Sequence, residues 1–355
     1  MKETLRYLAG VAGPSGFGSS STAEQVTEDC SSSLPSHLTA IVTVSPNSIF
    51  FFHMPNNSSK HGRTKRKGFK CMTYDVLYNR ATSGIGGETA RVLAKRGVRL
   101  VIPARDLNKG QEAKERIQKE CPNAEIILLE IDLSSFASVK RFCYEFLSLE
   151  LPLNLLINNA GKFNQNLEYS EDKIEMTFAT NYLGHFLLTE LLMEKMIETA
   201  EQTGIQGRII NVSSVLHSWV KRDEFHFKEM LNPKRYHGTR AYAQSKLANI
   251  LHAKEIARKL KSKNAKVTIN TVHPGIVKTD SLFFLASKLL KSVSQGASTA
   301  CYVALSPSLV GANGNYFADC NESSCSALAN SEYEAHKLWK QSRALLHKQM
   351  FRSSS

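Results

Sequence analysis

From Ala81 onward, short runs of consecutive apolar residues alternate with longer stretches whose apolar residues recur every three or four positions. The runs at 98–104 (VRLVIPA), 124–133 (AEIILLEIDL), 153–161 (LNLLINNAG), 207–214 (GRIINVSS) and 266–275 (KVTINTVHPG) read as strands, with a last short one within 313–320 (NGNYFADC). Helical spacing runs from Gly84 to about Arg96, then over 107–120, 135–148, 171–200, 239–263, 281–292, 295–305 and 331–349. A strand apolar along its whole length needs cover on both faces, which helices flanking a parallel sheet provide. Right-handed crossovers then give an α/β, doubly wound parallel sheet of about seven strands in a single domain. Its ligand crevice is expected at the carboxyl ends of the strands.

The start of this pattern is interrupted. Ser83-Gly84-Ile85-Gly86 opens a helix, and glycines there let backbone N–H groups approach a pyrophosphate. Such a turn wants an earlier glycine and a buried strand before it, yet Arg80 occupies the glycine's place and 74–78 makes a poor strand. Residues 38–43 (LTAIVT) supply the strand, separated from its turn by an insert over 44–80. Joining IVT to ATSGIG leaves a turn one residue short of the full Thr-Gly-x-x-x-Gly-x-Gly pattern. A loop this long without periodicity is uncommon inside a compact domain, so the insert is read as disordered or as the product of a retained intron. Residues 1–37, rich in Ser, Gly and Thr, are expected to be a flexible N-terminal segment. The main domain is expected over 81–330, and a basic helix and tail over 331–355.

The net charge of +13 invites a nucleic-acid reading, but the insert alone holds seven basic residues against one acid. A concentrated basic loop of this kind is more often a solvated surface, and no nucleic-acid partner is expected. No apolar run approaches the roughly 20 residues that span a bilayer, so membrane association is expected to be peripheral at most. Seven scattered cysteines without a CxxC pair suggest a reducing compartment and no disulfide framework. No metal site is expected.

Several polar residues fall at strand ends, where they would converge. Tyr242 and Lys246 are four apart on a helix and share a face. A phenol titrates near 10, and an ammonium beside it is expected to favour the phenolate, making Tyr242 a general acid/base towards an alcohol or carbonyl oxygen. Ser214 ends a strand at the crevice mouth, to bond the reacting oxygen or to cap the next turn. Asn181 interrupts an apolar helix, either holding a water next to Lys246 or satisfying backbone groups. Asn159, Ala160 and Gly161 form a tight turn after a strand. Asp132 and Leu133 close the strand before it, and Pro274 and Gly275, with Thr279 beyond, end the sixth. After the second strand stands Ala104, then Arg105, a cation suited to a ribose 2′-phosphate where an NAD site wants a carboxylate. NADP(H) is therefore the expected cofactor.

These elements, in this order from Ala81 to about Cys320, resemble the short-chain dehydrogenases/reductases. The carrying motifs are SGIG, Asp-Leu, NNAG, the helix Asn, the strand-end Ser, YxxxK and HPGxVxT. The resemblance implies a Rossmann-like fold, with Asn181, Ser214, Tyr242 and Lys246 as a catalytic tetrad. It also implies a dinucleotide held by Thr43, Ser83, Gly84, Ile85, Gly86, Arg105, Asp132, Leu133, Asn159, Ala160, Gly161, Tyr242, Lys246, Pro274, Gly275 and Thr279. Within the family the chain is most similar to the retinol-dehydrogenase-like branch. The stretches 13–27 and 295–305 resemble its plant chloroplast-envelope members. That implies a hydrophobic carbonyl or alcohol substrate, an inner-envelope location rather than a cytoplasmic one, and translocon components as partners. It also raises a calmodulin-type partner for the basic helix at 336–351, against the simpler reading of a packed terminal helix with a solvated face.

Two departures from the family pattern stand out. Arg80 and the insert strike the pyrophosphate turn, and HPGIVKT runs straight into DSLFFLASKLL, which suggests a shortened lid. Leu282, Phe283, Phe284 and Leu285 are read first as core. Three outcomes follow: an NADP(H)-dependent oxidoreductase, a cofactor-sensing component with little turnover, or an inactive splice product.

Overall fold

The computed structural model describes residues 10–30, 34–35, 37–44, 84–275 and 291–352. Strands β1 (Thr39–Val42), β2 (Arg99–Ala104), β3 (Ile126–Glu130), β4 (Leu155–Asn158), β5 (Gly207–Val212), β6 (Val267–His273), β7 (Tyr316–Ala318) and β8 (Asn321–Glu322) form one sheet in the order β3-β2-β1-β4-β5-β6-β7-β8. The first seven run parallel. The two-residue β8 turns back antiparallel through Asp319 and Cys320, both at positive φ, so the expected seven strands gain a short hairpin edge.

The main helices are α1 (Ile85–Lys95), α2 (Leu107–Glu120), α3 (Phe136–Ser148), α4 (Gly184–Thr203), α5 (Gly238–Ser262), α6 (Val293–Leu305) and α7 (Glu332–Arg352). Successive strand residues face opposite sides: Ile41 of β1 joins the core under α3, α4, α5 and α7, while Ala40 and Val42 join the core under α1, α2 and α6. The sheet grows in opposite directions from β1 and β4, which places a crevice beyond their carboxyl ends. β1 lies at the centre of the sheet, paired with both β2 and β4. The segment 38–43 is thus the missing first strand.

Three local differences from the sequence expectation have physical causes. The helix expected from 171 begins only at Met176. Lys173 has φ 62, a bridge pairs Tyr169 with Glu175, and the Glu175 carboxylate caps Thr177 and Phe178 N–H at 2.8 and 2.7 Å. The N-terminal segment is not loose where it is described. Ala23, Val26, Thr27 and Cys30 are buried, Ala23 N–H donates to Ser294 O, and Glu24 pairs with Arg91 and Lys95. Its few apolar residues lack periodicity yet fill the groove between α1 and α6. Between β5 and α5 the chain also forms short helical turns at Val215–Trp219, Arg222–Glu224 and Phe227–Leu231.

Helix α7 packs Ala335, Leu338, Ser342 and Leu346 inward, and Ser342 meets the Tyr182 hydroxyl at 2.8 Å. Trp339 is capped by Lys259, 3.6 Å from the ring centroid. The apolar face of α7 is thus seated on the domain. All six described cysteines, Cys320 and Cys325 among them, are free thiols. Among the described residues no helix is long and apolar enough to cross a membrane. The insert beyond Val44, with Arg80 and Ser83, lies outside the described residues, as do residues 281–290 of the helix expected over 281–292, Thr279 and Leu282–Leu285.

Candidate active site

Helix α5 begins after the short turns that follow β5, and its first two turns bring Tyr242 and Lys246 under the ends of β5 and β6. Both are buried, at 4% and 3% exposure. The Lys246 ammonium donates to Val212 O at 2.9 Å, and burial lowers it to about 8. It stands 5.5 Å from the centroid of the Tyr242 ring. The Tyr242 phenol is pushed well above its ordinary value by burial, and a hydrogen bond with Ser214 works in the opposite direction. Burial outweighs the Ser214 bond, so the phenol keeps its proton at neutral pH.

Ser214 follows β5 in extended backbone and caps the turn Val215–Trp219, accepting from Leu216 N–H at 3.3 Å. It thus acts as the turn cap, one of its two expected uses, and it also bonds the Tyr242 phenol. Its neighbour Ser213 is turned inward and donates to Lys246 O at 2.7 Å. Asn181 lies in a π-helical turn, Ala179–Leu183, immediately before α4. Such widened turns often occur at functional sites. The amide is fully buried: Oδ1 accepts from Lys162 N–H at 2.6 Å, and Nδ2 donates to Lys162 O at 2.9 Å and Ser245 Oγ at 3.0 Å. Ser245 Oγ in turn donates to Tyr242 O at 2.7 Å. Asn181 therefore ties the strand-end loop to the tyrosine helix, the backbone-satisfying one of its two expected uses.

The turn after β4 is pinned from β1. Thr43 Oγ1 accepts from Asn159 N–H at 2.9 Å and Ala160 N–H at 3.0 Å. Its proton faces Ile157 O at 3.3 Å and His185 Nε2 at 2.9 Å, and because a carbonyl can only accept, His185 Nδ1–H donates to Asn181 O at 3.2 Å and Nε2 is the acceptor. His185 is thus neutral, and burial lowers it to about 4. Thr43 spends its hydroxyl on the protein. Asn159 Nδ2 donates to Thr43 O at 3.0 Å, and it would lie 2.2 Å from a Cβ added at Gly86. Only glycine lets α1 approach this closely.

The start of α1 fits the pyrophosphate of a dinucleotide. Among the described residues, no side chain caps Gly84 at its N-cap and nothing lies within 4 Å of where a Cβ would be. The first N–H groups of such a helix are donors for an anion. Ile85, half-buried, opens the helix. Gly161 fits the same ligand: a Cβ there would sit 3.4 Å from Lys246 Nζ and 3.7 Å from Asn181 Oδ1.

Arg105 is exposed just beyond β2. The adjacent Asp106 uses a carboxylate oxygen to cap α2, accepting from Asn108 N–H at 3.1 Å and Lys109 N–H at 3.3 Å. Asp132 is likewise engaged, its Oδ1 accepting from Ser134 N–H and Oγ at 2.8 and 2.6 Å. Leu133 is buried, its carbonyl packed against Gly184. Pro274 and Gly275 follow β6, where Gly275 backs onto the buried side chain of Lys291, whose ammonium meets Asp319 at 2.5 Å.

The sequence reading missed His185, His217 and Lys291. A lone histidine or lysine carries no periodic signal, and the partner that defines each lies far along the chain.

The comparisons with known proteins agree with this fold. The model of the short chain dehydrogenase family matches residues 76–221. The chain is 41% identical over 347 residues to the short-chain dehydrogenase TIC 32 B, chloroplastic, of Brassica napus, covering 95% of this chain and 96% of that one. It is 39% identical over 280 residues to human retinol dehydrogenase 11, covering 76% and 85% respectively. A crystal structure of an uncharacterised protein from Mycobacterium Paratuberculosis superposes with a TM-score of 0.64 at 25% identity, covering 89% and 96% of the two chains. The Pseudomonas aeruginosa RhlG/NADP active-site complex superposes with a TM-score of 0.55 at 18% identity, covering 79% and 94%, and shares the fold. A doubly wound sheet whose crevice gathers a serine, a tyrosine and a lysine, together with relatives matched along nearly the whole chain, places this protein in the short-chain dehydrogenase family of oxidoreductases.

Proposed function

We propose that the protein is an NADP(H)-dependent oxidoreductase acting on the carbonyl or alcohol of a hydrophobic small molecule. The observation that carries the proposal is the buried Tyr242 phenol, bonded by Ser214 and followed one helical turn later by the Lys246 ammonium. The nicotinamide supplies or accepts the hydride. In the reducing direction Tyr242, protonated at neutral pH, donates its proton to the carbonyl oxygen, while Ser214 holds that oxygen in line. Lys246, whose ammonium bonds Val212 O, would hold the nicotinamide ribose when the cofactor is bound. Asn181 keeps the Lys162 loop and the tyrosine helix in register. Gly84, Ile85 and Gly86 face the pyrophosphate, and Asn159, Ala160 and Gly161 line the middle of the cofactor's path. Pro274 and Gly275 border its nicotinamide end.

The preference for NADP(H) rests on Arg105, an exposed cation just beyond β2 that suits a 2′-phosphate, and on Asp106, whose carboxylate caps α2. The names of the relatives favour a chloroplast setting and retinoid-like or other hydrophobic substrates. Capture of α7 by a calmodulin-type partner would require Leu338 and Leu346 to leave their buried positions, and retention on calmodulin resin in calcium tests it.

NADPH fluorescence titration followed by turnover on a panel of aldehydes, with decanal as the reference, tests the function. Tyr242→Phe is expected to keep NADPH binding and lower turnover by about 10²- to 10⁴-fold. Unchanged turnover in this variant would overturn the mechanism, while NADPH binding without turnover in the unaltered chain would favour a cofactor sensor.

A further inference from the structure

We propose that His217 is a positioning residue for Ser214: its ring fixes the peptide that carries the serine hydroxyl to the Tyr242 phenol. The inference rests on the proposed role of Ser214 and extends it to a side chain that touches neither substrate nor cofactor.

The ring is buried, at 3% exposure, and both nitrogens are engaged. Ser326 N–H donates to Nε2 at 3.1 Å. A backbone N–H can only donate, so Nε2 must be the acceptor and the ring proton must lie on Nδ1. Nδ1–H then donates to Ser214 O at 2.7 Å, beside the backbone bond from His217 N–H to the same oxygen at 3.1 Å. The Ser214 carbonyl thus receives two donors from one residue. Its hydroxyl, on the other side of the same α-carbon, accepts from Leu216 N–H and bonds the phenol. The imidazole rests on the Tyr316 ring of β7, with centroids 5.2 Å apart, which fixes its plane. Burial lowers its proton affinity, so the neutral tautomer persists at working pH. His273 is the titratable neighbour, held well below its ordinary value by burial and by the charges of Lys291 and His217. The serine's orientation is therefore set through one ring by the segment before α7.

The test separates the two ring nitrogens. The substitution His217→Asn would place an amide N–H near the Nδ1 position and keep the bond to Ser214, whereas the longer amide of His217→Gln reaches the Nε2 position and keeps only the Ser326 contact. In full-length protein, His217→Gln is expected to lower kcat for decanal about tenfold or more, the scale of one misplaced hydrogen bond. KM for NADPH should stay within about twofold. His217→Asn should recover most of the rate. A readout free of turnover is the Tyr242 Cζ chemical shift in tyrosine-labelled protein at pH 7, assigned by its loss in Tyr242→Phe. The Gln variant should move this signal as Ser214→Ala does, and the Asn variant should leave it in place.

Gln and Asn variants that both match the unaltered chain in rate and shift, while Ser214→Ala does not, would overturn the positioning role alone. A Ser214→Ala variant with intact turnover would overturn the serine's role itself. Should the Gln variant fail to fold, an Asn variant that melts normally yet loses as much rate as Ser214→Ala would also overturn the inference.

Discussion

Tyr242 and Arg105 show how differently two site residues can be read from a chain. Tyr242 and Lys246 share a face because a helix returns to the same side after four residues, so their pairing is legible from spacing alone. Their protonation is not legible, because burial decides it, and burial depends on strands β5 and β6 and on Phe163, whose ring meets that of Tyr242 edge-on at 5.9 Å. Arg105 is legible as a cation after β2, but the argument for NADP(H) is completed by the capping role of Asp106. Replacing Arg105 with Ala should weaken NADPH binding about ten- to a hundredfold, the value of a lost charge-assisted hydrogen bond, and leave NADH binding nearly unchanged. Fluorescence titration with both nucleotides measures it, and an equal loss for the two would remove Arg105 from the 2′-phosphate site. His185 and His217 escaped detection because the residues that define their roles, Thr43 and Ser326, lie 142 and 109 positions away.

At the scale of elements, strands and helices with strong periodicity were read nearly to their ends, and the site follows from where strands stop. The exceptions are places where side chains override periodicity. The Glu175 cap moves a helix start, the π turn around Asn181 widens another, and the Ser/Gly-rich stretch at 10–30 docks by shape rather than by pattern. The family match starts at residue 76, past β1, although β1 is a central strand of the sheet. Helix α7 reads in sequence as a basic amphipathic segment open to two uses, and the structure seats its apolar face. Leu338, 2% exposed, contributes to that seat. Leu338→Ala should lower unfolding free energy by about 2–5 kcal/mol, as buried leucine truncations do. Urea denaturation checks it, and a cost below about 1 kcal/mol would mean that α7 lies loosely on the domain.

For the molecule as a whole, the buried histidines set the response to acid. His185 and His252 are both 2% exposed, and burial lowers them to about 4 and about 3. Their folded values lie below the ordinary 6.5 of an unfolded chain. The stability they protect is therefore complete above pH 6.5 and is lost as pH falls towards 4. Each contributes about 1.4 kcal/mol per pH unit across that window. Melting temperatures should fall steeply between pH 6.5 and 4.5. His185→Gln, which keeps a polar partner for Thr43, should flatten the slope, and an unchanged slope would assign acid sensitivity elsewhere.

Strand β1 has one more consequence. It is bonded on both edges and its residues enter both cores, so the ladder and the cores hold it by contacts with the segment from Gly84 onward. Pieces spanning 1–44 and 84–355, produced separately, should find each other and regain a cooperative melt, with Thr43 again closing the Asn159 turn. Co-purification of the two pieces would identify the first strand as a removable keystone, one whose exchange for a designed peptide could switch the crevice on or off.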